Sequence, residues 1–143
     1  MLAALAEAEA AAARGEVPVG AVLVAADGRT LARTGNRTRE LADPTAHAEM
    51  LAIRQACAML GSERLADSDL FVTLEPCAMC AAAISFARIR RLYFAAADPK
   101  GGAVEHGPRF FSSPTCHHAP EVYGGIEELR AAALLRAFFS GRR

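Results

Sequence analysis

His47, Cys77 and Cys80 impose the hardest constraint on how this chain can fold: three side chains that bind soft divalent metals lie far apart in sequence, and their donor atoms have to meet at one point. They occur as His47-Ala48-Glu49 and Pro76-Cys77-Ala78-Met79-Cys80. A structural zinc is closed by four protein donors, whereas three donors leave a position for water, so this set describes a site that does chemistry. Two cysteines three apart on a helix share one face, and both sulfurs reach one ion at roughly 2.3 Å. Pro76 suits the first position of a helix, which puts Cys77 and Cys80 in or near its first turn, where the positive end of the dipole favours thiolates. Asp43-Pro44-Thr45 reads as the loop and cap opening a second helix, which carries His47 and turns Ala52, Ile53 and Ala56 inward. Glu49 is not needed as a ligand. Two residues from His47, it is placed to take a proton from an activated water and hand it on.

Taken alone, a C-x-x-C is half of a structural zinc site or a redox pair. The strand-like run Leu70-Phe71-Val72-Thr73-Leu74 leading into Pro76, together with H-x-E upstream, favours the catalytic reading. Cys57 and Cys116 read as ordinary thiols. Cys116-His117-His118 lies in a Ser/Pro loop and reads as surface or packing, not as a second metal site.

The 143 residues, 52% of them hydrophobic, suffice for one domain with a proper core, residues 1–143. No apolar run is long enough to span a bilayer, and the start lacks a basic region and carries Glu7 and Glu9, so it reads as a helix and not a signal peptide. A cytoplasmic location is expected, since cysteines used as metal thiolates fit a reducing compartment. A formal net charge of +0 does not advertise a nucleic-acid binder. Arginines nonetheless cluster at Arg88, Arg90 and Arg91 and again at Arg142 and Arg143. Each cluster alone reads equally well as a solvated face.

Along the chain, Leu2 to Arg14 reads as a helix stopped by Gly15. Gly20 to Ala25, a turn at Ala26-Asp27-Gly28 and Thr30 to Arg37 form a strand, turn, strand unit. A helix from Ala46 to Leu60 precedes Gly61. A buried strand at Leu70 to Thr73 leads to a helix from Pro76 to Ala87, then a strand from Arg91 to Ala96. After an irregular stretch come a short strand at Glu121-Val122-Tyr123 and a helix from Ile126 to Phe139. Strands alternating with helices indicate an α/β sheet covered on both faces, with sites at strand ends.

The pattern H-x-E with P-C-x-x-C is the known signature of the zinc deaminases. Together with Glu16-Val17-Pro18-Val19-Gly20-Ala21-Val22, Gly35-Asn36-Arg37, Asp43-Pro44-Thr45-Ala46, Val72-Thr73-Leu74-Glu75 and Asp98-Pro99-Lys100-Gly101-Gly102-Ala103, it makes the chain resemble the cytidine deaminase-like superfamily. Within it the likeness is to the tRNA-specific adenosine deaminases. The resemblance implies a three-layer α/β/α cytidine deaminase-like fold with a five-stranded mixed sheet. It also implies a homodimer and one Zn2+ per subunit held by His47, Cys77 and Cys80, with Glu49 as proton shuttle. Asn36 then contacts the flipped nucleoside, while Asp98 and Lys100 lie against the anticodon strand. The implied reaction is hydrolytic deamination of the wobble adenosine in the anticodon loop of an arginine tRNA. An anticodon loop suits this because its bases are already unstacked. Phe138, Phe139, Arg142 and Arg143 are the kind of aromatic and cationic groups that hold single strands, and read equally well as a core phenylalanine with a solvated helix end. The alternative is a deaminase of a free base or nucleoside: guanine, cytosine or cytidine.

Overall fold

Small residues decide how closely the first helix lies on the sheet. The structure, a computed structural model, describes residues 1–141 and begins with α1, Leu2–Ala13, whose buried residues are Ala4, Leu5, Ala8 and Ala11. Its backbone rests on Gly20 at the start of β1, Gly20–Val24. A Cβ there would lie 2.0 Å from the Ala4 carbonyl oxygen and 2.6 Å from the Ala8 nitrogen, so only glycine permits the approach. The Gly20 N–H donates instead to the buried Thr73 Oγ1 at 3.1 Å, tying β1 to the strand beside it.

The remaining elements are β2 (Thr30–Gly35), α2 (Ala48–Leu60), β3 (Asp69–Leu74), α3 (Ala78–Phe86), β4 (Arg91–Ala96), a 3-10 turn (Phe110–Ser112), β5 (Glu121–Tyr123) and α4 (Glu128–Ser140). The five strands form one sheet in the order β2-β1-β3-β4-β5. β1 runs antiparallel to β2 and β3, while β3, β4 and β5 are parallel, so the sheet is mixed. Helices α1 and α4 cover one face and α2 and α3 the other, giving the expected three layers.

Alternation along the strands sorts the side chains. In β3 and β4, Leu70, Val72, Leu92 and Phe94 are buried in the main core with Ala52 and Ala56 of α2 and Ile84 of α3. Their neighbours Phe71 and Tyr93 point the other way and stack at 4.6 Å between ring centroids, with Tyr123 of β5 a further 5.1 Å along the ladder. Leu5, Ala95, Ala96 and Ala131 make a smaller core under α1 and α4.

Gly15 and Gly61 take the positive φ values, 83° and 63°, of helix-ending glycines. Several boundaries differ from the sequence expectation. The helix with the cysteines begins at Ala78, not Pro76, because Cys77 is an extended residue with φ −74° and ψ 176° standing just before it. The second helix begins at Ala48 with His47 before it, and Asp43 accepts from Thr45 N–H and Oγ1 instead of capping that helix. β2 ends at Gly35, two residues short of Arg37, although Asn36 N–H still donates to Val19 O at 3.1 Å just before β1. The last helix likewise starts two residues after Ile126, behind a left-handed Glu127.

Candidate metal centre and active site

Both metal-binding segments stand at the doorstep of a helix. His47 and Cys77 occupy the positions just before α2 and α3, and Cys80 lies one turn into α3. Their backbones therefore aim side chains past two helix N-termini, whose partial positive charge favours anionic sulfur. His47 Nδ1 lies 3.6 Å from Cys77 Sγ and 3.5 Å from Cys80 Sγ. Donors of a tetrahedral zinc, with bonds of about 2.05 and 2.3 Å to nitrogen and sulfur, should stand about 3.6 Å apart. The three donor atoms lie within 4.8 Å of one another and are the only His/Cys/Asp/Glu group among the described residues with such geometry. The residue types, number and spacing all fit zinc.

The electrostatics ask for a cation. The hydrogen bond from Cys80, then that from His47, pulls the Cys77 thiol down to about 4. Cys80 is pushed up by sharing that proton with Cys77 and by burial, while contact with Cys77 raises His47. A positive charge between the three groups relieves what the sulfurs otherwise settle by holding a proton.

Glu49 sits one residue inside α2, 4% exposed. Burial, the largest influence, pushes its carboxyl up to about 7. It faces the same cavity of about 280 Å³ as His47 and Cys77, walled by Val17, Val19, Leu74 and Asn36. That volume lies at the low end for small-molecule sites.

Asn36 is 8% exposed, and its Oδ1 accepts from Ala48 N–H at 2.8 Å. It caps α2 from outside and leaves its amide NH2 as the group able to donate into the cavity. Asp98 also lines the cavity, with Oδ1 accepting from Lys100 N–H at 3.2 Å and Gly101 N–H at 3.0 Å. Lys100 lies outside the cavity, in an adjoining groove of about 520 Å³ formed with Val17, Leu74, Ala97, Asp98, Gly101, Leu135 and Phe139. Arg142 and Arg143 fall outside the described residues.

Two features were missed in reading the residues. Glu75, 2% exposed, lines the cavity and anchors the segment after β4. The signal was there: an acidic residue directly before Pro76 at the end of a buried strand. Glu16, also 2% exposed, accepts from the Arg39 and Glu40 N–H groups and shapes the loop that leads to His47.

Other candidates resolve into packing. Cys116 Sγ contacts Ser85 and the His118 carbonyl, and His118 Nε2 lies 2.8 Å from the Ile89 carbonyl. A larger cleft, about 800 Å³, lies at the opposite end of the sheet among Arg64, Arg88, Arg90 and Arg91. Arg90 is paired there to Asp69 by two part-buried bonds of 3.1 Å, and Arg91 to Glu121 at 2.9 Å, an exposed ion pair of little energetic weight. The chemistry-bearing groups are in the smaller cavity. Among the described residues no helix is long and apolar enough to cross a membrane.

Three metal donors beside a buried carboxyl on this three-layer frame define a zinc-dependent hydrolytic deaminase, and the chain belongs to the cytidine and deoxycytidylate deaminase zinc-binding family, whose pattern matches residues 1–96. The site holds one zinc per chain. More particularly, the chain is 68% identical over 140 residues to a tRNA-specific adenosine deaminase of Agrobacterium fabrum, covering 98% of this chain and 91% of the relative. A protein of the same name from Rickettsia bellii is 47% identical over 137 residues, covering 95% of this chain and 94% of its own length. Among solved structures, one from a study of A-to-I editing by tRNA:A34 deaminases at the wobble position superposes with TM-score 0.92 at 68% identity, covering 94% of this chain and 97% of that one. A guanine deaminase from Nitrosomonas europaea superposes with TM-score 0.82 at 25% identity, covering 96% of this chain and 81% of that one.

Proposed function

We propose that this chain deaminates adenosine to inosine at the wobble position of a tRNA anticodon, with arginine tRNA the expected substrate. The observation that carries this is the buried Glu49 carboxyl in one cavity with the His47, Cys77 and Cys80 donors, in a chain 68% identical to a tRNA-specific adenosine deaminase. When bound, zinc supplies Lewis-acid activation of a water molecule. Glu49 is the catalytic residue: its buried carboxyl takes a proton from the water that adds to adenine C6 and passes it to the ring N1, then takes the remaining hydroxyl proton and delivers it to the departing amino group. Water enters, ammonia leaves, and the carboxyl ends as it began. Val17, Val19 and Leu74 present apolar walls to the base and exclude solvent, and the Asn36 amide orients the nucleoside by donation.

The adjoining groove supports a polynucleotide over a free base. It continues the cavity through Val17, Leu74, Asp98 and Gly101 to Lys100 and the half-exposed Phe139, a cation and an aromatic face of the kind neighbouring nucleotides use. Incubating the zinc-loaded protein with arginine tRNA and sequencing position 34 tests the proposal. A persistent adenosine there, with ammonia released from guanine, cytosine or cytidine instead, decides for the free-base reading.

We further infer a homodimer through the α2–α3 face. Phe86 is 71% exposed and Met59 56%, and a groove of about 460 Å³ runs between Ile53, Ala83, Phe86 and Ala87. Apolar exposure on this scale, next to the helices that carry the site, suits a second copy of the chain. Sedimentation should give a dimer that Phe86→Glu dissociates, and a wild-type monomer contradicts the inference. The single domain over residues 1–143 and the cytoplasmic location follow the same reading. Two separate unfolding transitions, or cell fractionation placing the protein elsewhere, count against them.

A further inference from the structure

The segment between β4 and the 3-10 turn has little regular structure, yet its backbone amides converge on one carboxylate that takes no part in the proton transfer above. Glu75 has a side chain with 0% exposure. Its Oε1 accepts from Asp98 N–H at 3.0 Å and meets His106 Nδ1 at 2.8 Å. Its Oε2 accepts from three successive amides, Val104, Glu105 and His106, at 3.1, 2.9 and 3.1 Å. The next residue adds a further tie, since Pro76 O accepts from Ala103 N–H at 2.9 Å. Hydrogen bonds to an ionised acceptor are about twice as strong as neutral ones, and an amide left without its partner in a buried place is costly. Gly102 completes the fit: a Cβ there would stand 2.5 Å from Glu75 Oε2 and 2.5 Å from the Asp98 carbonyl oxygen. These bonds give the loop its shape, and the loop carries Asp98, Lys100 and Gly101 to the cavity and its groove.

We propose that Glu75 is a positioning residue for the RNA: its carboxylate fixes the 98–106 loop as the wall that seats the strand beside the target adenosine, and so governs substrate binding while leaving metal and proton transfer alone. The proposal rests on the RNA reading of the site. It separates two jobs met two positions apart, with Cys77 holding the metal and Glu75 the substrate wall.

Glu75→Gln tests it, because the amide keeps the volume but turns one acceptor into a donor facing N–H groups. The variant should keep one zinc per chain and the amide-exchange protection of β3 and α3, while losing protection at Val104, Glu105 and His106. KM for an anticodon stem-loop should rise about tenfold with kcat within about threefold. Gly102→Ala presses on the same contact from the loop side and should repeat the pattern, and it decides the matter if Glu75→Gln does not fold. Loss of zinc with a matching fall in kcat in both variants overturns the proposal. Wild-type turnover of the stem-loop with unchanged KM in both variants sinks it alone, whereas absence of wild-type turnover sinks the RNA reading and this proposal together.

Discussion

Replacing Glu49 by glutamine should make the zinc-stripped protein more stable above neutral pH while removing its activity. Burial raises the carboxyl from its usual 4.5 to about 7. At about 1.4 kcal/mol for each tenfold change in proton affinity, that rise is worth about 3 kcal/mol. A carboxyl with a raised folded-state pKa contributes its full stability below the unfolded value of 4.5, where it is protonated in both states. The contribution is then lost as pH climbs through about 7, where folding has to keep a buried negative charge. Glutamine is neutral throughout and does not titrate. The difference between variant and wild type should therefore be near zero at pH 4.5 and grow to about 3 kcal/mol in favour of Glu49→Gln above pH 7. Urea unfolding of both proteins, stripped with a chelator and kept reduced, measures it between these pH values. In the zinc-loaded state the same variant should keep its metal and lose about 10²- to 10⁴-fold in kcat. A stability difference that does not change with pH, or a variant less stable than wild type at high pH, refutes the reasoning.

Chelation should lower wild-type stability by about 4 kcal/mol relative to protein held in free zinc at a thousand times its dissociation constant, read as a shift in the unfolding midpoint. Asn36→Ala should cost about 1 kcal/mol in unfolding free energy, because Ala48 N–H loses its acceptor at the start of α2. Asn36→Asp should restore most of that stability but not kcat/KM, since it lacks the donating NH2. Ile84→Ala, a fully buried position on α3 behind Cys80, should cost about 2–5 kcal/mol by denaturant titration and weaken zinc retention in a competition assay.

The metal donors were legible because coordination chemistry is local: few side-chain types bind zinc, and their number distinguishes a closed site from one that admits water. Alternation of strands and helices likewise gave the layers, since β3 reads as one buried run and α2 shows its inward stripe at Ala52 and Ala56. What stayed hidden depends on partners distant in sequence. Cys77 looked helical from its spacing and is extended, because it belongs to the short connection from the strand end at Leu74 into α3. Asp43-Pro44-Thr45 looked like the loop and cap of α2, yet the acceptor at its head is Asn36, which arrives from the end of β2. Glu75 stands out locally as an acidic residue at the end of a buried strand, but its role stayed hidden because its partners are main-chain amides at Asp98 and at residues 104–106, groups every residue but proline has.

Because His47 and Cys77 stand at the thresholds of α2 and α3, the site acts as a buckle between two helices already clamped to the sheet by Ala52, Ala56 and Ile84. Opening it frays only the first turns at the mouth and leaves the flanks seated. Metal exchange therefore needs local loosening and not global unfolding, so the zinc-stripped chain should stay folded and ready to reload.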